Sequence, residues 1–498
     1  MYESNRKFQF RMFRCLFYLA GFLFLPAMVF AQMSNTMSGN IDFKPDSASL
    51  MQYKVPQWFK NDKFGIFIHW GVYSVPAFGS EWYPHYMYKK GSKEYKYQVK
   101  HFGPPSKFGY KDFIPMFKAQ HWNPNRWAKL FKEAGAKYVV PVAMHHDGFA
   151  MYKSNVTKWN AYNMGPHKNI IKDLEKAVRA QGLKFGVSDH YANNWYYYTY
   201  ADHYDTNNPK YAGLYSPKHK KGTPPNSYFL NRWYNLAREM VNDFHPDILY
   251  FDWKFQEPAF KPFRYRIAAY YYNHLEKWGK TGVLNYKNDA FPKGSAVFEV
   301  ERGRFSHVRK PHWQTGTSVA TNTWGYTKDA KYRTPNSMID ELVDIVSKNG
   351  NLLMNVDPKS DGTIPKQAKN ILIHMGKWLS VNGQAIYNTR PWKVYGEGPT
   401  HLKKSGSFAG ILKYTGKDIR FTTNGNTLYA IALAWPGKEM VIHSLAPSKD
   451  LNRASIQSVT MLANHQKLHY RLEQDGLHVQ MPSHPVGHYA YVVKIELK

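Results

Sequence analysis

Short apolar runs recur along the chain, each stopping at a polar or charged residue, with stretches of helical period between them. Lys63-Phe64-Gly65-Ile66-Phe67-Ile68 leads into His69-Trp70-Gly71, and the run over 137–144 leads into His145-His146-Asp147-Gly148-Phe149. The run over 183–188 ends in Asp189-His190-Tyr191, and Ile248-Leu249-Tyr250-Phe251 ends in Asp252-Trp253. Continuous apolar runs of this length predict strands buried on both faces, and further ones fall at 282–286, 296–300 and 351–356. Amphipathic spacing predicts helices over 125–134, 169–181, 228–244, 265–278, 336–348 and 365–381, the first two closed by Gly135 and Gly182. Strands and helices in alternation call for a parallel sheet with crossovers, and a count of about eight strands favours a (β/α)₈-like TIM barrel spanning 50–382.

From 383 to 498 the period changes to two. Runs such as Thr427-Leu428-Tyr429-Ala430-Ile431-Ala432-Leu433 and Tyr489-Ala490-Tyr491-Val492-Val493-Lys494-Ile495 sit between turn residues, which predicts a smaller C-terminal all-β sandwich domain. No Gly/Ser linker or low-complexity tract separates the two parts, so they are expected to pack together. No phosphate-binding or dinucleotide glycine motif is present.

The first 31 residues have a different design. Arg6, Lys7, Arg11 and Arg14 precede an apolar run from Leu16 to Phe30 broken by Pro26, and small residues stand at Val29 and Ala31. This is the layout of a secretory signal peptide, too short and too interrupted for a membrane anchor. The expectation is a periplasmic or secreted protein, with no stable membrane span once residues 1–31 are cleaved. Cys15, the only cysteine, lies in that segment, so the exported chain would have no disulfide and no Cys-ligated metal.

A formal charge of +31 adds an anionic partner to the picture. Nucleic acid has no motif to support it here, so an acidic or sulfated polysaccharide is the better match for an exported chain. Thirty-eight Tyr and fifteen Trp suit stacking on sugar rings as well as core packing.

In such a barrel, chemistry gathers where the strands end, which singles out His69, His145, His146, Asp189, His190, Asp252, Glu299 and Glu301. Adjacent residues of an extended strand point to opposite faces, which disfavours one metal held by both His145 and His146. Glu299 and Glu301, two apart, share a face. If that face meets Asp252, two carboxylates can divide glycoside cleavage between nucleophile and acid/base, with Arg302 as counter-charge to whichever glutamate stays structural.

Several blocks, in order from about Val55 to Trp392, resemble the α-L-fucosidases of glycoside hydrolase family 29. They are Phe64-Gly-Ile-Phe-Ile-His-Trp-Gly71, Ser80-Glu-Trp-Tyr83, Ala134-Gly-Ala-Lys-Tyr138, His145-His-Asp-Gly-Phe149, Asp247-Ile-Leu-Tyr-Phe-Asp252, Trp324-Gly-Tyr326, Lys348-Asn-Gly-Asn-Leu-Leu353 and Asp361-Gly-Thr-Ile364. The resemblance implies a retaining exo-glycosidase on fucosylated oligosaccharides or polysaccharides, with no metal or organic cofactor and with Asp252 as nucleophile. It also implies that His69, His145 and His146 hold the sugar hydroxyls, that Glu81 and Trp82 close over the sugar, and that Trp324 packs near its methyl group.

Two positions depart from the family pattern. Many members place a glutamate directly after a tryptophan before the Trp-Gly-Tyr block, whereas here Gln314 follows Trp313. An amide cannot shuttle a proton, so the acid/base role passes to Glu301, with Glu299 second. The segment Ser188-Asp189-His190-Tyr191 replaces a tyrosine pair, which makes His190 a further sugar-binding candidate. The alternatives are a related α-L-glycosidase, such as an α-L-galactosidase, and a weakly catalytic sugar-binding protein on the same fold.

Overall fold

Eight parallel strands close into a barrel: β1 (Phe64–Ile68), β2 (Tyr138–Met144), β3 (Lys184–Asp189), β4 (Ile248–Phe251), β5 (Val283–Tyr286), β6 (Val297–Glu301), β7 (Trp313–Ser318) and β8 (Gly350–Val356). This computed structural model describes residues 41–448 and 452–498. The proposed signal segment lies outside the described residues. Each strand pairs with the next, and β8 returns to β1 with Gly65 opposite Leu353, which completes the closure. The strands are buried along nearly their whole length because helices cover the barrel outside and side chains fill its interior.

One strand has no apolar run to announce it. β7 reads Trp-Gln-Thr-Gly-Thr-Ser and is buried throughout. Most of its polar side chains find partners inside the protein: Tyr138 OH donates to Gln314 Oε1 at 3.0 Å, and Thr315 Oγ1 donates to the Val300 carbonyl at 2.9 Å. A strand whose polarity is satisfied internally leaves no hydrophobic period to read.

After helix Lys366–Asn382 the chain builds two antiparallel sheets. Five strands, β9 (Arg390–Glu397), β10 (Ile419–Asn424), β11 (Thr427–Ala432), β13 (Ile456–Met461) and β16 (Tyr491–Leu497), run in the order β13-β16-β11-β10-β9. β12 (Glu439–Ile442), β14 (Tyr470–Glu473) and β15 (Gly476–Gln480) form a three-stranded sheet in the order β12-β15-β14. Phe421, Leu428, Ala430, Val493 and Ile495 of the larger sheet share a core with Met440, Ile442, Leu477 and Val479 of the smaller. The expected sandwich is formed by these inward-facing alternate positions.

Two devices join the sandwich to the barrel. Helix Pro335–Ser347 carries buried Asp344, whose Oδ1 accepts from Arg420 Nε of β10 at 2.7 Å, with Lys348 Nζ 2.8 Å away. The loop between β9 and β10 also reaches back to the barrel rim. There Gly406 N donates to the Arg304 carbonyl at 2.8 Å, Phe408 N to the Glu301 carbonyl at 2.8 Å, and Ala409 N to the Arg302 carbonyl at 3.1 Å. Glu301 N donates to Ser407 Oγ at 3.2 Å. No helix among the described residues is long and apolar enough to cross a membrane.

Candidate active site

Because the barrel strands are parallel, the residues that follow them emerge at one rim. His69 follows β1, His145 and His146 follow β2, His190 follows β3, and Asp252 follows β4, while Glu299 and Glu301 end β6. All seven line one cavity of about 420 Å³, together with Glu81, Trp82 and Trp324 from the loops above. Of the strand-end candidates, all but one therefore line this cavity. Asp189 is not part of it: its Oδ1 accepts from Tyr191 N at 2.7 Å and orders the turn after β3.

The carboxylates are organised by Lys287, the residue after β5. Its Nζ is 2.6 Å from Asp252 Oδ1, 2.8 Å from Glu301 Oε2 and 3.9 Å from Glu299 Oε2. The first two contacts bound the separation of the Asp252 and Glu301 oxygens from above, at roughly the 5 to 5.5 Å of a retaining pair. Burial works against ionisation of Asp252, but the Lys287 ammonium and the neighbouring His190 and His146 outweigh it and hold the carboxyl well below its usual range.

Glu299 and Glu301 share a strand face and differ in surroundings. The Glu299 side chain is 1% exposed, and its Oε1 accepts from Gly316 N at 2.6 Å. Burial pushes its carboxyl up to about 7, with Lys287 opposing. Glu301 lies one repeat nearer the rim, 23% exposed, and its Oε1 accepts from Trp324 Nε1 at 3.1 Å. The deeper glutamate is tied to the next strand, and the outer one faces the mouth.

Four histidines form the opposite wall. Asn355 Oδ1 accepts from the backbone N of His69 at 2.9 Å and lies 2.7 Å from its Nδ1. The Asn355 amide nitrogen donates to Trp324 O at 2.7 Å, which fixes Oδ1 as the acceptor. His69 thus carries its proton on Nδ1 and keeps Nε2 as a lone pair. Burial pushes this ring down to about 3 and holds His145 and His190 well below their usual range, so all three are neutral. His146 Nδ1 is 2.7 Å from the His190 carbonyl, and its Nε2 is 3.3 Å from Asp252 Oδ2. His190 Nε2 pairs with Ser188 Oγ at 2.7 Å.

Although His145 and His146 are adjacent, both rings face the cavity, with centroids 4.4 Å apart. Strand alternation ends with β2 at Met144, so the opposite-face expectation fails beyond it. The ligand atoms of His146, His190 and Asp252 come within 4.8 Å of one another, as do those of His69, His145 and His190. Only the first set includes a carboxylate, and the Lys287 ammonium already sits on it, where a dication would be repelled.

Aromatic residues frame the mouth. The Trp324 ring lies 5.0 Å from that of His69, and Trp82 packs 5.3 Å from His146 and 6.1 Å from Trp253. Glu81 holds the rim together: its Oε2 accepts from Trp324 N at 2.8 Å and from Thr323 Oγ1 at 3.2 Å.

Arg302 does not act as the expected counter-charge. Its guanidinium donates to the carbonyls of Ala320, Thr321 and Thr323 and lies 4.6 Å above the Trp324 ring, while Lys287 neutralises the carboxylates. Lys287 went unread although it follows a predicted strand as Asp252 does. The rule that found the acids and histidines applies equally to a lysine. Ser407 and Phe408 also line the cavity, and no local pattern marks them, since they belong to the C-terminal region.

A closed parallel barrel whose strand ends carry a close carboxylate pair, neutral histidines and a rim of tryptophans has the make-up of a glycoside hydrolase. Residues 30–384 match the family model described as Alpha-L-fucosidase, and residues 413–496 match the Alpha-L-fucosidase C-terminal domain. The chain belongs to the alpha-L-fucosidase family. It is 33% identical to plasma alpha-L-fucosidase of Homo sapiens, with 88% of each chain covered. It is 31% identical to tissue alpha-L-fucosidase of Rattus norvegicus, over 89% of this chain and 90% of that one. The crystal structure of Thermotoga maritima alpha-fucosidase in complex with a mechanism based inhibitor superposes with a TM-score of 0.73 at 31% identity, covering 91% of this chain and 100% of that chain.

Proposed function

We propose that this chain hydrolyses terminal α-L-fucosyl linkages with retention of configuration, through a covalent glycosyl-enzyme on Asp252. The observation that carries this reading is the single ammonium of Lys287 bridging Asp252 and Glu301, at 2.6 and 2.8 Å. It keeps Asp252 ionised and brings its partner acid to within the upper limit those two contacts set, which is compatible with a retaining pair. In the first step a carboxylate oxygen of Asp252 attacks the anomeric carbon, the glycosidic bond breaks, and Glu301 gives its proton to the departing oxygen. In the second, Glu301 takes a proton from water as that water attacks the anomeric carbon, releasing fucose and the Asp252 carboxylate. Once Asp252 is esterified, the Glu301 carboxylate left by the first step stays beside Lys287 Nζ, at 2.8 Å, where it can take the proton of the attacking water.

His69 offers a lone pair to a sugar O–H, and His145, His146 and His190 complete a polar wall for the ring hydroxyls. Trp324 gives an apolar face to the 6-deoxy carbon. Glu301 is preferred to Glu299 because the leaving oxygen lies toward the mouth. The N-terminal signal layout supports export to the periplasm or beyond.

Azide separates the roles. Asp252→Gly should lose about four orders of magnitude in kcat on 4-nitrophenyl α-L-fucoside, and azide should restore turnover with β-L-fucosyl azide as product. Glu301→Ala should retain much of its first-step rate on this activated substrate, fail on unactivated oligosaccharides, and yield α-L-fucosyl azide. An α-azide from Glu299→Ala and none from Glu301→Ala would move the acid/base to Glu299. Binding of fucose without turnover by the wild type would favour the sugar-binding alternative.

A further inference from the structure

A second cavity, of about 740 Å³, lies beside the first and plays no part in the mechanism above. His85, Trp195, Tyr196, Tyr200 and His219 supply aromatic surface, and Lys89, Lys221 and Lys254 supply charge. The partition between the cavities is thin. The His85 ring packs 5.3 Å from Trp82 of the catalytic pocket, and Lys254 directly follows Trp253, with Nζ 5.3 Å from its ring centroid. This rim is one side over which a glycan with its terminal fucose in the catalytic pocket can continue.

The charge is not consumed locally. Lys254 reaches Glu257 at 3.0 Å, but neither Lys89 nor Lys221 forms an ion pair among the described residues. Burial and the nearby Lys221 ammonium both lower the Lys89 ammonium from its ordinary value. The one carboxylate in the lining, Glu257, is paired with Lys254, so Lys89 and Lys221 remain as two like charges near one another that favour an anion. The aromatic side is built for a ring: His219 stacks on Trp195 at 3.8 Å, and the Lys254 ammonium lies 4.7 Å over Tyr196.

We propose that this cavity binds an anionic sugar unit, bearing a sulfate ester or a carboxylate, in the part of the glycan beyond the fucose. The inference rests on the fucosidase reading and narrows its substrates to charged glycans. Lys89 and Lys221 engage the anion, and Tyr196 and His219 cover the sugar ring.

The test compares wild type with the double variant Lys89→Ala/Lys221→Ala, both exposed positions outside the catalytic pocket. Substrates are 4-nitrophenyl α-L-fucoside and fucosylated oligosaccharides in neutral, sulfated and uronate-bearing forms. The double variant should match wild type on the aryl and neutral substrates and lose roughly tenfold in kcat/KM on at least one anionic form. Which arm responds separates sulfate from carboxylate. High salt should erase the wild-type preference. Equal kcat/KM for variant and wild type on both anionic forms would overturn the proposal. Calorimetric binding of the sulfated oligosaccharide reads the cavity independently of turnover. Lysine-dependent binding without hydrolysis of the aryl fucoside would retain the cavity and reject the catalytic reading.

Discussion

Glu299 stands in the cavity wall with its side chain 1% exposed and a carboxyl raised to about 7 by burial. The unfolded chain ionises this group in the ordinary carboxylate range, near 4.5. Its favourable contribution is therefore complete at acid pH and is lost as pH rises through about 7. Glu299→Gln carries no such penalty. Relative to wild type, the variant should gain stability from pH 4.5 to pH 7, by up to about 3 kcal/mol, and the difference should level off above that. Urea unfolding of both proteins across this range measures it, and a pH-independent difference would contradict the burial argument. Asp252 behaves in the opposite way. Lys287 and the histidines keep it ionised at acid pH, so loss of activity there has a source other than protonation of Asp252.

Elements differ in how openly they declare themselves. β2, β4 and β8 are apolar enough to be read directly, whereas β7 hides its place because it buries polar side chains, most of them partnered within the barrel. Helix Pro335–Ser347 reads as an ordinary amphipathic helix, yet its buried residues include Asp340, Glu341 and Asp344. Their partners come from elsewhere: Arg333 and Arg304 for Glu341, Arg420 and Lys348 for Asp344. Lys348 and Arg420 hold the Asp344 carboxyl far below its usual range against the cost of burial. Asp344→Ala leaves both cations buried without their anion and should cost about 3 to 5 kcal/mol in urea unfolding. A loss below about 1 kcal/mol would show that water, rather than Asp344, solvates these cations.

On the scale of the whole molecule, the C-terminal part helps to build the catalytic mouth. Phe408 is 58% exposed, is held by its backbone N–H on the Glu301 carbonyl, and faces the cavity. An exposed phenylalanine at that rim offers a face to the sugar next to the fucose. Phe408→Ala should raise KM about three- to tenfold on oligosaccharides and leave the aryl fucoside's kcat unchanged. An equal loss of kcat on both would instead mean that the loop positions Glu301. The barrel, the sandwich and the strand-end acids and histidines were legible in the sequence because burial period and strand polarity are local properties. Asp252 could be singled out because a charge that ends an apolar run has one place to go in a parallel barrel. What only the tertiary structure decided was the pairing of charges: Lys287 between Asp252 and Glu301, Arg302 diverted to backbone carbonyls, and Phe408 brought to the rim by a distant loop. Coulomb and hydrogen-bond energies depend on distance in space, and the chain alone specifies distance only along itself.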